Sequence, residues 1–259
     1  MTSTQTLQPP QLPRTGLILA SLARADLSVM VKNKMRVILS LLLPLIILSS
    51  TNSAKALDKF GGSVFVIGLA IAFGLASVSI MGYASTTARD RENGVFQRLR
   101  LSPAPRWAIM GSRLALQLLV NEAIAVVVLI IAVRQHHLSL SARDYALELV
   151  VALLGSVVFL AIGQALVGLV KRSDTVNALG RLLYIALALL GIFGQNGELS
   201  GNWGAIARWS PVGDVMRLLA GVLDLSRWTS TDWWSLVACA GYIVFCGLVG
   251  VRFFQWNTE

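Results

Sequence analysis

Chemistry in this chain begins with a carboxylate in the wrong surroundings. Glu122 sits in the middle of the apolar stretch Trp107 to Val133, with Asn121 beside it and Gln117 five residues before it, and Gln164 lies inside a later apolar stretch. An acid at that position is costly and usually faces a cavity or a partner. The four polar groups could therefore join in a patch that lines a path for a solute. They could equally hydrogen-bond helix to helix as packing. The second concentration of reactive side chains is Arg89 to Leu114, which reads RDRENGVFQRLRLSPAPRWAIMGSRL. From Asp90 to Leu101 the pattern is helical, with acids in the first turn and Arg98 and Arg100 in the last, as the helix dipole prefers, and Pro103 and Pro105 close it. Val95, Phe96 and Leu99 make a small apolar ridge amid this charge. On residue types alone, the segment is either a loop helix resting on lipid headgroups or a docking helix. In the docking case, the ridge fits a groove in a soluble partner while Arg91 and Glu92 pair with partner charges.

Other chemistries lack their residues. The pair His136-His137 is adjacent in sequence, and two neighbouring histidines do not converge on one metal without a bent backbone and further ligands, so no metal site is expected. Neither H-E-x-x-H nor a Ser and His pair at membrane depth is present, which removes the usual intramembrane hydrolases, and no catalytic residue is assigned. No G-x-x-x-x-G-K-[ST] loop exists to cradle phosphates, and no Gly-Lys dipeptide occurs anywhere. Any ATP must be bound by another chain. Cys239 and Cys246, seven residues apart on one helix, would stand roughly 10 Å apart, too far for a bridge.

The elements that must hold these groups are membrane helices. Of 259 residues 55% are apolar and only 14% are charged, a balance foreign to soluble domains of this length. Crossing a hydrocarbon core takes about 20 apolar residues. The sequence offers six spans, approximately 37–54, 63–88, 107–133, 146–170, 179–197 and 233–252. The net charge of +9 would suggest nucleic acid in a soluble chain, but here the basic residues gather at the ends of apolar stretches. They act as topology signals, and no nucleic-acid partner is expected.

With both termini cytoplasmic, the inner segments collect Arg14, Arg24, Lys32, Lys34, Arg36, the Arg89 to Arg113 group, Lys171, Arg172, Arg181 and Arg252. The outer segments keep fewer, as the positive-inside rule requires. Tryptophans fall into an inner pair, Trp107 and Trp256, and an outer group, Trp203, Trp209, Trp228, Trp233 and Trp234.

Residues 1–13 are polar and Pro-rich and read as a disordered cytoplasmic tail, and 14–259 as one transmembrane domain. Within it, 14–35 reads as an interfacial helix, with Leu17, Ile18, Leu22 and Val29 set against Arg24, Asp26, Lys32 and Lys34. Before the last span, Val212, Val215, Met216, Leu219, Val222 and Leu223 recur at helical spacing behind a Ser210-Pro211 start. This predicts an amphipathic helix at the outer interface, with Asp214, Arg217 and Asp224 on its wetted side. Because the fifth apolar stretch is short, the same region could instead dip into the membrane and turn back.

The Arg89 to Leu114 stretch resembles the cytoplasmic loop of ABC-2 type transporter permeases, in which an R-E-x-G segment, an apolar and basic turn, a Pro and a membrane-entering helix form the coupling helix. Arg91, Glu92, Gly94, Leu99, Pro103 and Arg113 match that pattern, and the resemblance extends over most of the chain: Pro44 in the first span, six spans, and the Ser-Pro-led helix. It implies an all-α membrane protein with six transmembrane helices, an N-terminal interfacial helix, a cytoplasmic coupling helix and an outer amphipathic or re-entrant helix. It further implies a bacterial plasma membrane, a second permease subunit, identical or related, and two copies of a soluble ABC ATPase that hold ATP and Mg. The permease itself would carry no cofactor and be no enzyme. Arg91, Glu92, Asn93, Gly94, Val95, Phe96, Arg98 and Leu99 would form the ATPase-binding segment. The implied activity is outward transport of an amphiphilic or drug-like solute, as in drug efflux and antibiotic resistance. Export of a lipid or lipid-linked glycan is the alternative within the family. An ion-coupled carrier centred on Glu122 is the rival outside it, and it would normally need broken helices and charges in two matching halves.

Overall fold

From Val66 to Ala76 the chain has no polar side chain on any side, and a helix that is apolar all round has to be wrapped by other helices. In a computed structural model describing residues 24, 34–51, 62–100, 105–195, 201–225 and 228–254, every residue of that stretch is buried. It belongs to α2 (Ser63–Glu92), around which α1 (Lys34–Ser50), α4 (Arg106–Gln135), α5 (Ala142–Leu169), α6 (Ser173–Gln195) and α8 (Pro211–Leu223) pack. The short α3 (Val95–Arg100) follows α2, α7 (Asn202–Arg208) precedes α8, and α9 (Ser230–Arg252) lies along α5. Among the described residues there is no strand.

Five helices, α2, α4, α5, α6 and α9, are long and apolar enough to cross a bilayer. The expected first span is shorter: α1 has 17 residues, about 25 Å, and its apolar part is Leu41–Ser50. Residues 1–13, and all but Arg24, Lys34 and Met35 of the helix expected over 14–35, lie outside the described residues. The fifth span is longer than its apolar stretch suggested. α6 begins at Ser173 rather than near 179, because a side chain from α2 caps it there.

Helix ends carry the signals that sequence rules demand. Ser141 and Asp144 form a capping box on α5, Thr229 and Asp232 form one on α9, and Ser210 accepts from the Gly213 amide on α8 with Pro211 at the first position. Close packing runs through glycine. A Cβ on Gly163 would stand 2.8 Å from Ser79 O, one on Gly180 3.4 Å from Ile80 O, and one on Gly250 2.6 Å from Gln164 Cγ. These contacts put residues 79–80, 163–164, 180–181 and about 248–250 at one depth.

One expected element is in a different place. Of the two placements expected for the Pro211–Leu223 helix, the interfacial one does not hold: the helix packs among α2, α5, α6 and α9, as the alternative of a segment dipping into the bundle would require, with Arg217 and Asp224 half-buried. Asp214 is fully buried, not solvated. The helical spacing was real, but the side it left over is partly covered as well, at Asp214 fully and at Arg217 and Asp224 in part, since a membrane bundle can cover the less apolar side with other helices.

Candidate functional site

The last turn of α2 delivers Arg91 and Glu92 to the turn between α5 and α6. That turn contains the two helix ends whose backbone groups lack partners: the last carbonyls of α5 and the first amides of α6. Arg91 takes the carbonyls, with Nη1 donating to Val167 O at 2.7 Å and Nη2 donating to Val170 O and Lys171 O, both at 2.6 Å. Glu92 takes the amide, accepting from the Ser173 backbone N–H at 2.6 Å and also from the Ser173 hydroxyl. A cation thus sits on the C-terminus of one helix and an anion on the N-terminus of the next, each with the favourable sign for the local dipole. The neighbouring charges of an R-E dipeptide suit two antiparallel helix ends that meet in a three-residue turn.

Beyond Glu92 the chain reverses. Asn93 N–H donates to Arg89 O at 2.9 Å, and Gly94 adopts φ +68°, a left-handed conformation that glycine enters without a Cβ penalty. α3 then folds back so that Phe96 is fully buried. Its ring meets Phe254 edge-on at 5.5 Å, and Arg113 lies over it, Cζ 4.7 Å from the ring centre, while pairing with Asp90 at 2.8 Å. Ala84, Ala88, Ile109, Val167 and Val176 complete this second, smaller core.

The expected ATPase-binding residues therefore divide. Arg91 is buried and spends three of its five N–H donors on carbonyls of the same chain, so it is turned away from a partner's charges, and Phe96 points inward rather than into a partner's groove. Val95, Gly94 and Leu99 are half-buried, and Glu92, Asn93 and Arg98 present an exposed surface beside Gln97.

The second group also divides. Asn121 Nδ2 donates to Ser79 Oγ at 2.9 Å, Tyr83 OH donates to Gln164 Oε1 at 2.5 Å, and Ser156 Oγ donates to Glu122 Oε1 at 3.3 Å. Gln117 is buried and Glu122 half-buried. These are three separate helix-to-helix bonds, not one patch around Glu122. Ser79 and Tyr83 both lie on the π-helical turn Ser77–Tyr83 of α2, whose extra residue per turn shifts their facing toward α4 and α5.

Two polar features went unread in the sequence, a buried acid and the partner of Arg217. Glu148, at the start of the fourth apolar stretch, is 1% exposed, and neither carboxylate oxygen has a hydrogen-bond partner among the described residues. Its sequence signal is weak: Ala152 and Gly155, four and seven residues on, mark the close-packed side of α5. Arg217 pairs with Asp232 at 2.9 Å, joining α8 to the cap of α9. No group of three or more His, Cys, Asp or Glu among the described residues could hold a metal ion.

Comparison with known proteins fits this arrangement. The family model for the ABC-2 type transporter matches residues 18–223. A curated relative named "Putative transport permease YvfS", from Bacillus subtilis (strain 168), is 21% identical over 224 residues, covering 85% of this chain and 90% of its own. With the family model spanning most of its length, the chain belongs to the ABC-2 type transporter family.

Proposed function

We propose that the chain is the membrane subunit of an ATP-driven exporter, paired with a second permease subunit and with two copies of a soluble ATPase that binds ATP and Mg. The observation that carries this reading is the corner at Arg91 to Leu99, where a short helix with an exposed polar surface is anchored to several transmembrane helices at once. A partner pressing on Asn93, Gln97 and Arg98 would move α3 through Gly94. Arg91 and Glu92 would carry the push to the α5–α6 turn, Arg113 to α4, and Phe254 to the segment that follows α9. Four spans then respond as one body, and a cavity between two copies opens to the far side.

The positive-inside distribution supports a cytoplasmic position for α3 and for both termini. An amphiphilic or drug-like solute, moved outward, suits the apolar helix faces that the single chain leaves uncovered, as on α6 at Leu182 and Ile185.

The test is purification of the tagged chain from its native membranes. Wild type brings a soluble ATPase with it, and Arg98→Glu loses that ATPase while the permease stays folded. Phe96→Ala weakens the fold itself, since it empties a buried site. An intact wild-type oligomer that never carries an ATPase contradicts the reading.

A further inference from the structure

We propose that Arg181 marks the face of α6 that lines the solute path, and that it gives the path a preference for amphiphiles bearing an anionic carboxylate or phosphate. This rests on the exporter reading above and names the substrate class for it. Two rulers fix the depth of Arg181. It lies eight residues beyond Ser173, where Glu92 pins the start of α6, which is about 12 Å along the axis. Independently, Gly180 packs on Ile80 O, and Ile80 is nine residues, about 14 Å, from Arg89 on α2. Arg181 is thus level with the Asn121–Ser79 and Gln164–Tyr83 bonds, about 12 Å along α6 from Ser173 and within a candidate span, not in the inner segment to which its charge was assigned from sequence.

Its side chain is nevertheless exposed, with no hydrogen bond or ion pair to any described residue. A cation at such depth normally faces a cavity or a partner rather than lipid. Beyond it the same side of α6 continues as an exposed apolar column, Leu182, Ile185, Leu189 and Phe193. α9 makes the contrast, because its exposed side, with Val237, Val244, Phe245, Leu248 and Val251, has no charge between Asp232 and Arg252 and is suited to lipid. A fixed guanidinium beside an apolar column complements an anionic headgroup with a hydrocarbon tail. The planar fork binds carboxylate or phosphate in a bidentate way. The rival is a lipid-facing arginine that snorkels to the nearer interface, since helical side chains lean toward the N-terminus.

Labelling separates the two. In the permease with Cys239→Ala and Cys246→Ala, single cysteines at Arg181→Cys and Ile185→Cys are exposed in vesicles to a charged, membrane-impermeant methanethiosulfonate. Leu248→Cys, at the same depth, and Val244→Cys serve as lipid-facing controls. Reaction at 181 and 185 but not at 244 and 248 supports the proposal; Ile185→Cys as inert as the controls overturns it.

The solute preference is then read as stimulation of ATPase activity in the whole complex, reconstituted in phosphatidylcholine. Dodecyl phosphate, dodecyl maltoside and dodecyltrimethylammonium are compared. Wild type responds best to the phosphate, and Arg181→Gln raises its half-maximal concentration roughly tenfold, with Arg181→Lys in between. An unchanged response in Arg181→Gln overturns the preference. So does a dodecyl phosphate effect abolished by adding phosphatidylglycerol to the vesicles, which would make a lipid headgroup the occupant. Labelling needs only the permease, so failure of the exporter reading, seen as the absence of any ATPase, is distinguishable from failure at Arg181.

Discussion

Replacing Arg91 by Ala removes three charge-assisted hydrogen bonds at once, and the consequences for the three carbonyls differ. Val167 lies in the buried interior, Val170 is half-buried, and Lys171 is exposed. Water can replace the guanidinium at Lys171 O, partly at Val170 O, and not at Val167 O. Leaving a buried acceptor without a partner costs about 1–3 kcal/mol, so the sum is about 3 kcal/mol, dominated by Val167. For a chain of this size that corresponds to a drop of roughly 6–12 °C in the unfolding midpoint. Arg91→Lys, a point charge in place of a fork, should lose about half as much. Thermal unfolding in mild detergent measures the midpoint, and amide hydrogen exchange over residues 167–173 locates the damage. Faster exchange confined to that turn and to the start of α6 is the expected signature. A midpoint shift below about 2 °C with unchanged protection at 167–173 would refute the reasoning, because the clamp would then hold nothing.

Three further outcomes follow from the packing. Glu148→Gln keeps the shape of a buried carboxyl but carries no charge, so it should be neutral or stabilise by about 1 kcal/mol in thermal unfolding, whereas a large loss would reveal a partner for the carboxylate. Gly250→Ala puts a Cβ 2.6 Å from Gln164 Cγ and 2.9 Å from Gln164 C, and should cost about 1–3 kcal/mol, while Gly241→Ala, with nothing within 4 Å, should be neutral or gain slightly. Equal midpoints for these two variants would contradict the α5–α9 contact. Asn121→Ala and Ser79→Ala should each cost about 1 kcal/mol, and a double-mutant cycle should recover a coupling of about 0.6 kcal/mol. Strict additivity would show that the 2.9 Å bond contributes nothing.

Much of the architecture was legible in the chain, for reasons that differ by element. Long apolar runs gave the five spanning helices, because length and hydropathy alone decide what crosses a bilayer. Ser210-Pro211 and the apolar spacing after it gave the bounds of α8. Its position was legible only as two alternatives, interfacial or dipping into the membrane: periodicity separates two faces of a helix, and only the tertiary structure says what covers each. Asp214 was misplaced for that reason.

Arg91 shows the other limit. Its three acceptors are backbone carbonyls 76 to 80 residues away, and a carbonyl leaves no trace in residue type. The R-E dipeptide therefore looked like surface charge awaiting a partner, while the side chains exposed to one, Asn93 and Arg98, carried no stronger sign. The four polar residues Gln117, Asn121, Glu122 and Gln164 were readable as intramembrane polar groups, but the partners of three of them were not: Ser79 and Tyr83 lie on a π-helical turn that changes the facing α-helical spacing predicts, and Ser156 is one of many serines on apolar helices with nothing in residue type to mark it.

The most direct test of the account is a photo-cross-linker placed at Arg98, with a second at Val150 on the exposed side of α5 as the control, in cells that express the chain at its native level. The account predicts a cross-link from position 98 to a soluble protein that carries a phosphate-binding G-x-x-x-x-G-K-[ST] loop, and none from position 150. Cross-links from position 98 to lipid or to the permease alone, in an oligomer shown to be intact, would contradict it.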